Sequence, residues 1–147
     1  MSKKYSVLFV CIHNSARSQM AEAFLREIGG EYFTAASAGL EAGFLNLLVI
    51  QVMGEIGLDI SVQSTDDIDN VIRRSEAFDY VITVCDAANA QRCPLVPGTM
   101  HRLHWGFADP AALSGTDKEK LAQVRVIRDQ IRAQVAAFVQ SFGIPVS

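Results

Sequence analysis

Short, nearly unbroken apolar runs alternate along this chain with longer stretches in which apolar residues recur every three or four positions. The first run, residues 5–10, has the character of a central parallel strand covered on both faces. A helix is expected over 15–29, with Met20, Ala21, Phe24, Leu25 and Ile28 as its inward stripe and Gly29-Gly30 as its stop. A strand over 33–38 closes at Gly39, and a helix over 45–56 ends at Gly57. Residues 66–75 read as a short polar helix. Residues 78–84 form a second apolar strand, and like the first it delivers a cysteine at its carboxyl tip.

Residues 86–98 hold Cys93, two prolines and small polar residues, the composition of a mobile loop or a weak helix. A short strand fits 100–104 and a loop fits 106–115. Thr116 can then cap a long helix over 117–140, with Leu121, Val124, Ile127, Ile131, Val135 and Phe138 at helical spacing. This order predicts an α/β fold in three layers: a flavodoxin-like, four-stranded parallel sheet with helices on both faces. Ligands of such sheets sit beyond the carboxyl ends of the strands. Cys11, Ser37, Cys85 and the Gly106 loop all fall there.

The length, 147 residues, fits a single domain over 1–147. The apolar half and charged fifth of the composition are ordinary for a globular chain. A formal net charge of −3, without a basic block, argues against nucleic acid as a partner. The longest apolar-rich stretch, 40–50, is too short to span a bilayer, so no membrane role is expected. The amino-terminal lysines and apolar run lack a small-residue cleavage site and lead straight into His13, Asn14 and Arg17. The expected location is the cytoplasm, where three cysteines rest reduced and matter for reactivity or metal binding.

The run Cys11-Ile12-His13-Asn14-Ser15-Ala16-Arg17-Ser18 carries the strongest chemical signal. A thiol at a strand tip, a short loop and a helix start aim backbone N–H groups and a positive helix end at one point. That environment lowers a thiol pKa and grips a tetrahedral oxyanion. Arg17 offers a planar fork to two of its oxygens, and Ser18 can donate to the sulfur. Against this stands the plainer alternative of a buried cysteine and a surface arginine, which the agreement of strand end, spacing, arginine and serine makes weak. Asn14 tolerates left-handed backbone angles and suits holding the loop's shape. His13 is a candidate base, but a solvent-facing loop residue is the better expectation. Asp109, stiffened by Pro110 within a glycine-bounded loop, is a candidate acid for a leaving oxygen, although an Asp-Pro pair alone is usually only a turn. Cys85 and Cys93 leave three alternatives open: unrelated cysteines, a redox relay with Cys11, or zinc ligands, the last disfavoured by the missing paired spacing.

The stretch from Val7 to Phe24 resembles the oxyanion loop of low-molecular-weight protein tyrosine phosphatases and of the thioredoxin-coupled arsenate reductases built on the same fold. Ser37-Ala38-Gly39, Glu55 to Ser61 and His104-Trp105-Gly106-Phe107-Ala108-Asp109-Pro110 extend the resemblance over nearly the whole chain. Val84-Cys85-Asp86-Ala87-Ala88 with Cys93-Pro94, and the His-Trp-Gly-Phe run, resemble the reductase branch. Ala111-Ala112 stand where the phosphatases carry tyrosines.

The resemblance implies that residues 12–18 (Ile12, His13, Asn14, Ser15, Ala16, Arg17 and Ser18) bind arsenate, with phosphate or sulfate as competitors. It implies attack by Cys11, Arg17 as clamp, Asp109 as acid, then a Cys11–Cys85 and a Cys85–Cys93 disulfide, the last reduced by thioredoxin or a related reductant. It also implies a potassium ion beside Asn14, Glu22, Ser37 and Asp66, and no other cofactor. Cys93, whose bond must be opened from outside, is expected to be the most exposed of the three thiols. Seven residues separate Cys85 from Cys93, one more than the commonest family pattern, and Leu47 replaces a usual proline after Asn46. The rival expectations are a phosphatase working through phosphocysteine, and a non-enzymatic anion-binding or redox-sensing module.

Overall fold

The structure, a computed structural model, describes residues 4–146; residues 1–3 and 147 of the expected domain lie outside the described residues. Strands β1 (Tyr5–Cys11), β2 (Phe33–Gly39), β3 (Tyr80–Thr83) and β4 (His101–His104) form one sheet in the order β2-β1-β3-β4. Every pairing is parallel, with Cys11 opposite Gly39 and Thr83 opposite His104. The helices are α1 (Arg17–Gly29), α2 (Leu47–Gly54), α3 (Ile68–Arg73), α4 (Ala87–Ala90) and α5 (Asp117–Gln140), with a 3-10 turn at Pro110–Ala112.

The alternation of β1 divides the interior. Val7, Phe9 and Cys11 face a large core shared with α1, α2 and α5. Leu8 and Val10 face a smaller core with Ile68, Val71, Phe78, Val81, Cys93 and Val96. The sheet is therefore covered on both faces, and the fold is the three-layer α/β arrangement expected. At the amino ends of the strands, Tyr5, Phe33, Tyr80, Phe138 and Phe142 pack ring on ring. The carboxyl ends are thus left for chemistry.

Element boundaries differ from expectation in ways that have causes. The long helix α5 spans the expected 117–140, with Thr116 and Glu119 forming a reciprocal capping box at its start. Helix α1 begins at Arg17 rather than Ser15, because the preceding residues keep a non-helical turn. Helix α2 starts at Leu47, not Leu45, since Asn46 caps it by accepting from the Leu48 and Val49 N–H groups. Leu47 thus takes the first helical position that a proline would suit. Residues 86–98 are not wholly irregular: Asp86 caps the single turn α4. No described helix is long and apolar enough to cross a membrane.

Candidate active site

The Cys11–Ser18 loop is held by its carbonyls. Those of Cys11, Ile12 and Ser15 accept from the N–H groups of Leu40, Glu41 and Asn46 at 3.0, 3.0 and 2.9 Å. The Asn14 carbonyl accepts from Gln19 Nε2 at 3.0 Å, and the Ala16 carbonyl accepts the first helical bond, from Met20. Among the described residues, no N–H group from His13 to Ala16 donates to a protein acceptor. Ala16, at the cap position of α1, has no side chain to satisfy the first turn. Carbonyls turned outward and amides left open make an anion-binding concavity, reinforced by the positive end of a helix of 13 residues. Gly39 is required for it: a Cβ there would lie 2.6 Å from the Glu41 carbonyl oxygen and 2.7 Å from the Asn14 nitrogen.

Asn14 is fully buried and carries a left-handed φ of 54°. Its Oδ1 accepts from Asp66 N–H at 2.9 Å and Gln19 Nε2 at 3.1 Å, while its Nδ2 donates to Ser18 Oγ at 2.8 Å. Because Ser18 Oγ accepts from Asn14, its own proton is free for the Cys11 Sγ, 2.9 Å away. Gln19, wholly buried, also reaches the Ser64 carbonyl and Gln63. The sequence reading missed Gln19; the signal available was an amide among the apolar positions of α1. His13 is exposed and lies 3.2 Å from Glu41 at the rim.

Arg17 is 4 % exposed, so the surface alternative for it is wrong. Its Nη1 donates to the Phe107 carbonyl at 3.1 Å, and its Nη2 lies 3.7 Å from Asp109 Oδ2. Asp109 in turn accepts from the Ala111 N–H at 2.9 Å and caps the 3-10 turn. The start of this acid loop is anchored by Trp105, which packs on Phe9 and Phe138. The loop, the arginine and the carboxyl group are thus brought together across 90 residues of sequence.

The other two thiols are treated differently. Cys85 shares the large core with Cys11. Burial pushes its thiol pKa up to about 11; the nearby Arg17 charge opposes this and Cys11 adds to it. Cys93 lies behind the sheet, in the smaller core. It is nominally the most exposed of the three, at 5 % against 3 % for Cys11 and 1 % for Cys85, yet all are buried. Cys93 shares that core with Leu8, Val10 and Val81. Burial raises its pKa too, with Arg102 opposing.

The potassium expectation does not fit the side chains. Glu22 accepts from Ser37 and pairs with Arg26 at 2.6 Å. Asp66 pairs with Arg74 at 2.6 Å and accepts from Asp67 N–H and Asn70. The Asn14 oxygen already has two donors. The Glu22, Asp66 and Asn14 oxygens are committed to proton donors, with guanidinium groups beside the two carboxylates, while the Ser37 hydroxyl gives its proton to Glu22. Among the described residues no cluster of three or more His, Cys, Asp and Glu could hold a metal ion.

Residues 6–143 match the family described as low molecular weight phosphotyrosine protein phosphatase, and the chain belongs to that family. An arsenate reductase from Halalkalibacterium halodurans is 42 % identical over 141 residues, 96 % of this chain and 99 % of that protein. Among solved structures, an arsenate reductase in its oxidized state has a TM-score of 0.78 at 31 % identity, covering 92 % of this chain and 97 % of the other. A thioredoxin-dependent arsenate reductase from Corynebacterium glutamicum has a TM-score of 0.69 at 34 % identity, covering 95 % of this chain and 62 % of the other.

Proposed function

We propose that this chain reduces arsenate to arsenite in the cytoplasm through a relay of its three thiols. The observation that carries the proposal is the position of Cys85: it is delivered beside β1 into the core that holds Cys11, within the electrostatic reach of Cys11 and Arg17. The resemblance to arsenate reductases over almost the full chain supports the same substrate.

The open amides of the Cys11–Ser18 loop and the Arg17 fork bind the oxyanion. The Cys11 thiolate forms a sulfur–arsenic bond while one oxygen leaves, protonated by Asp109. Cys85 then attacks Cys11 Sγ. The Cys11–Cys85 bond forms, the sulfur–arsenic bond breaks and its electron pair stays on arsenic, which departs as arsenite. Two thiols have lost two electrons and arsenic has gained two; the Cys85 proton passes to oxygen or solvent. Cys93 next attacks Cys85 Sγ, Cys11 leaves as thiolate, and a Cys85–Cys93 disulfide remains. An external dithiol of the thioredoxin class restores both thiols. No cation enters these steps.

The second proposal, a phosphatase, draws on the family and on Asp109 beside Arg17. It needs Cys11, Arg17, Asp109 and water, and neither further cysteine. Peptide mapping after one arsenate addition separates the two. Cys93→Ser is expected to release one equivalent of arsenite and stop as a Cys11–Cys85 disulfide; Cys85→Ser is expected to bind arsenate and fail to form that disulfide. Sustained thioredoxin-dependent turnover by Cys85→Ser would sink the relay and leave the phosphatase.

A further inference from the structure

Residues 86–99 bond mainly to themselves. Asp86 accepts from Asn89 N–H and Nδ2 at 2.9 and 2.7 Å, Arg92 donates to Asn89 Oδ1 at 2.8 Å, and the Thr99 hydroxyl donates to the Val96 carbonyl at 2.6 Å. Among the described residues, a single hydrogen bond ties this segment to another element: Arg102 Nη2, on β4, donates to the Cys93 carbonyl at 2.7 Å. Apolar packing of the segment is confined to Cys93 and Val96, which lie in the smaller core, and to Ala90, which packs against the larger one. Helix α4 has no buried residue. A recess of about 420 Å³ lies between α4 and β4, and another of about 320 Å³ lies along residues 94–100; Arg102 lines both.

The relay requires Cys93 to leave the core behind the sheet and reach Cys85 in the core in front of it. The one polar tie that must break is the Arg102 bond. We propose that Arg102 is the latch of the resolving thiol: its guanidinium pins the Cys93 carbonyl in the reduced protein, and its release sets when Cys93 can cross to Cys85. Arg102 is a positioning residue, for it holds a backbone oxygen and touches no reacting atom. The inference rests on the relay proposed above. The step it gates is thiol–disulfide exchange: the Cys85–Cys93 bond forms as the Cys11–Cys85 bond breaks, Cys11 leaves as thiolate, and the Cys93 proton goes to solvent. Local opening of this kind is governed by the few contacts that close the segment, independently of global stability.

Hydrogen exchange of the fully reduced, full-length protein tests the latch. In Arg102→Ala the amides of residues 90–96 should exchange about tenfold faster, the loss of one charge-assisted bond. Those of α1 and β1 should keep their protection. Arg102→Lys, which retains a charged donor, should restore most of the protection. After one equivalent of arsenate, with thiols trapped by acid and mapped in time, Arg102→Ala should convert Cys11–Cys85 into Cys85–Cys93 faster than the parent. A residue that merely supports the fold would not accelerate that step. Unchanged exchange over 90–96, or a slower conversion in Arg102→Ala, overturns the latch. If neither protein forms the Cys11–Cys85 disulfide, the relay falls and the gating half of the inference falls with it. The exchange result still decides whether Arg102 pins the segment.

Discussion

The two stretches that carry thiols are built in opposite ways. In the Cys11–Ser18 loop, five carbonyls are fastened to surrounding elements and a buried asparagine bonds in three directions. In residues 86–99, one hydrogen bond reaches another element among the described residues. The first stretch must present fixed donors to a charge, and donors stabilise developing charge only if they need not reorganise. The second must carry a sulfur from one side of a sheet to the other, so stiffness there would prevent the proposed chemistry. The same small fold therefore places its rigidity and its freedom in adjacent loops.

Substitutions can break this contrast in graded fashion. The largest effect is expected for Arg17→Lys, which keeps the charge and loses the fork: kcat/KM for arsenate should fall roughly 10²- to 10³-fold, measured at steady state. Asn14→Ala comes next. It leaves the Asp66 N–H without its acceptor, takes one partner each from Gln19 and Ser18, and puts alanine at a left-handed φ of 54°. A loss of about 3 kcal/mol is expected in urea unfolding.

A smaller effect comes from pH. The Cys85 thiol titrates near 11 when folded and near ~8.5 when unfolded, so between these values the unfolded chain has given up a proton that the folded chain retains. Stability of the reduced protein should be flat with respect to this group below that window and fall as pH rises through it. Cys85→Ala should flatten part of the slope, the raised Cys93 thiol supplying more of the same sign. The smallest effect is expected for Asn89→Ala in the loosely tied segment, within about 0.5 kcal/mol of the parent by the same unfolding measurement. A cost there as large as that of Asn14→Ala would erase the distinction between the two loops.

Much of this was legible from local signals. The apolar runs located the inner strands, and Thr116 as a cap located the start of α5 to the residue. The family resemblance and the spacing of Cys11 and Arg17 pointed to one loop, where the structure places both. What could not be read was long-range. Which core receives Cys93 depends on how the chain turns after β3, because period-two alternation ends with the strand. The start of α1 depends on loop carbonyls fastened by residues 40, 41 and 46, which no local propensity encodes. At the residues expected to hold potassium, Arg74 reaches back to Asp66 from beyond α3, whereas the Glu22–Arg26 pair, four residues apart on α1, was readable from spacing alone.

Trp105 has an optical consequence. It is the chain's sole tryptophan, wedged between Phe9 and Phe138 where the acid loop begins. Its indole emission therefore reports on the surroundings of Asp109 against a tyrosine background alone. Under the proposed relay, anion occupancy and disulfide formation at the carboxyl ends of the strands should change that fluorescence, in real time, on the native chain with no dye attached.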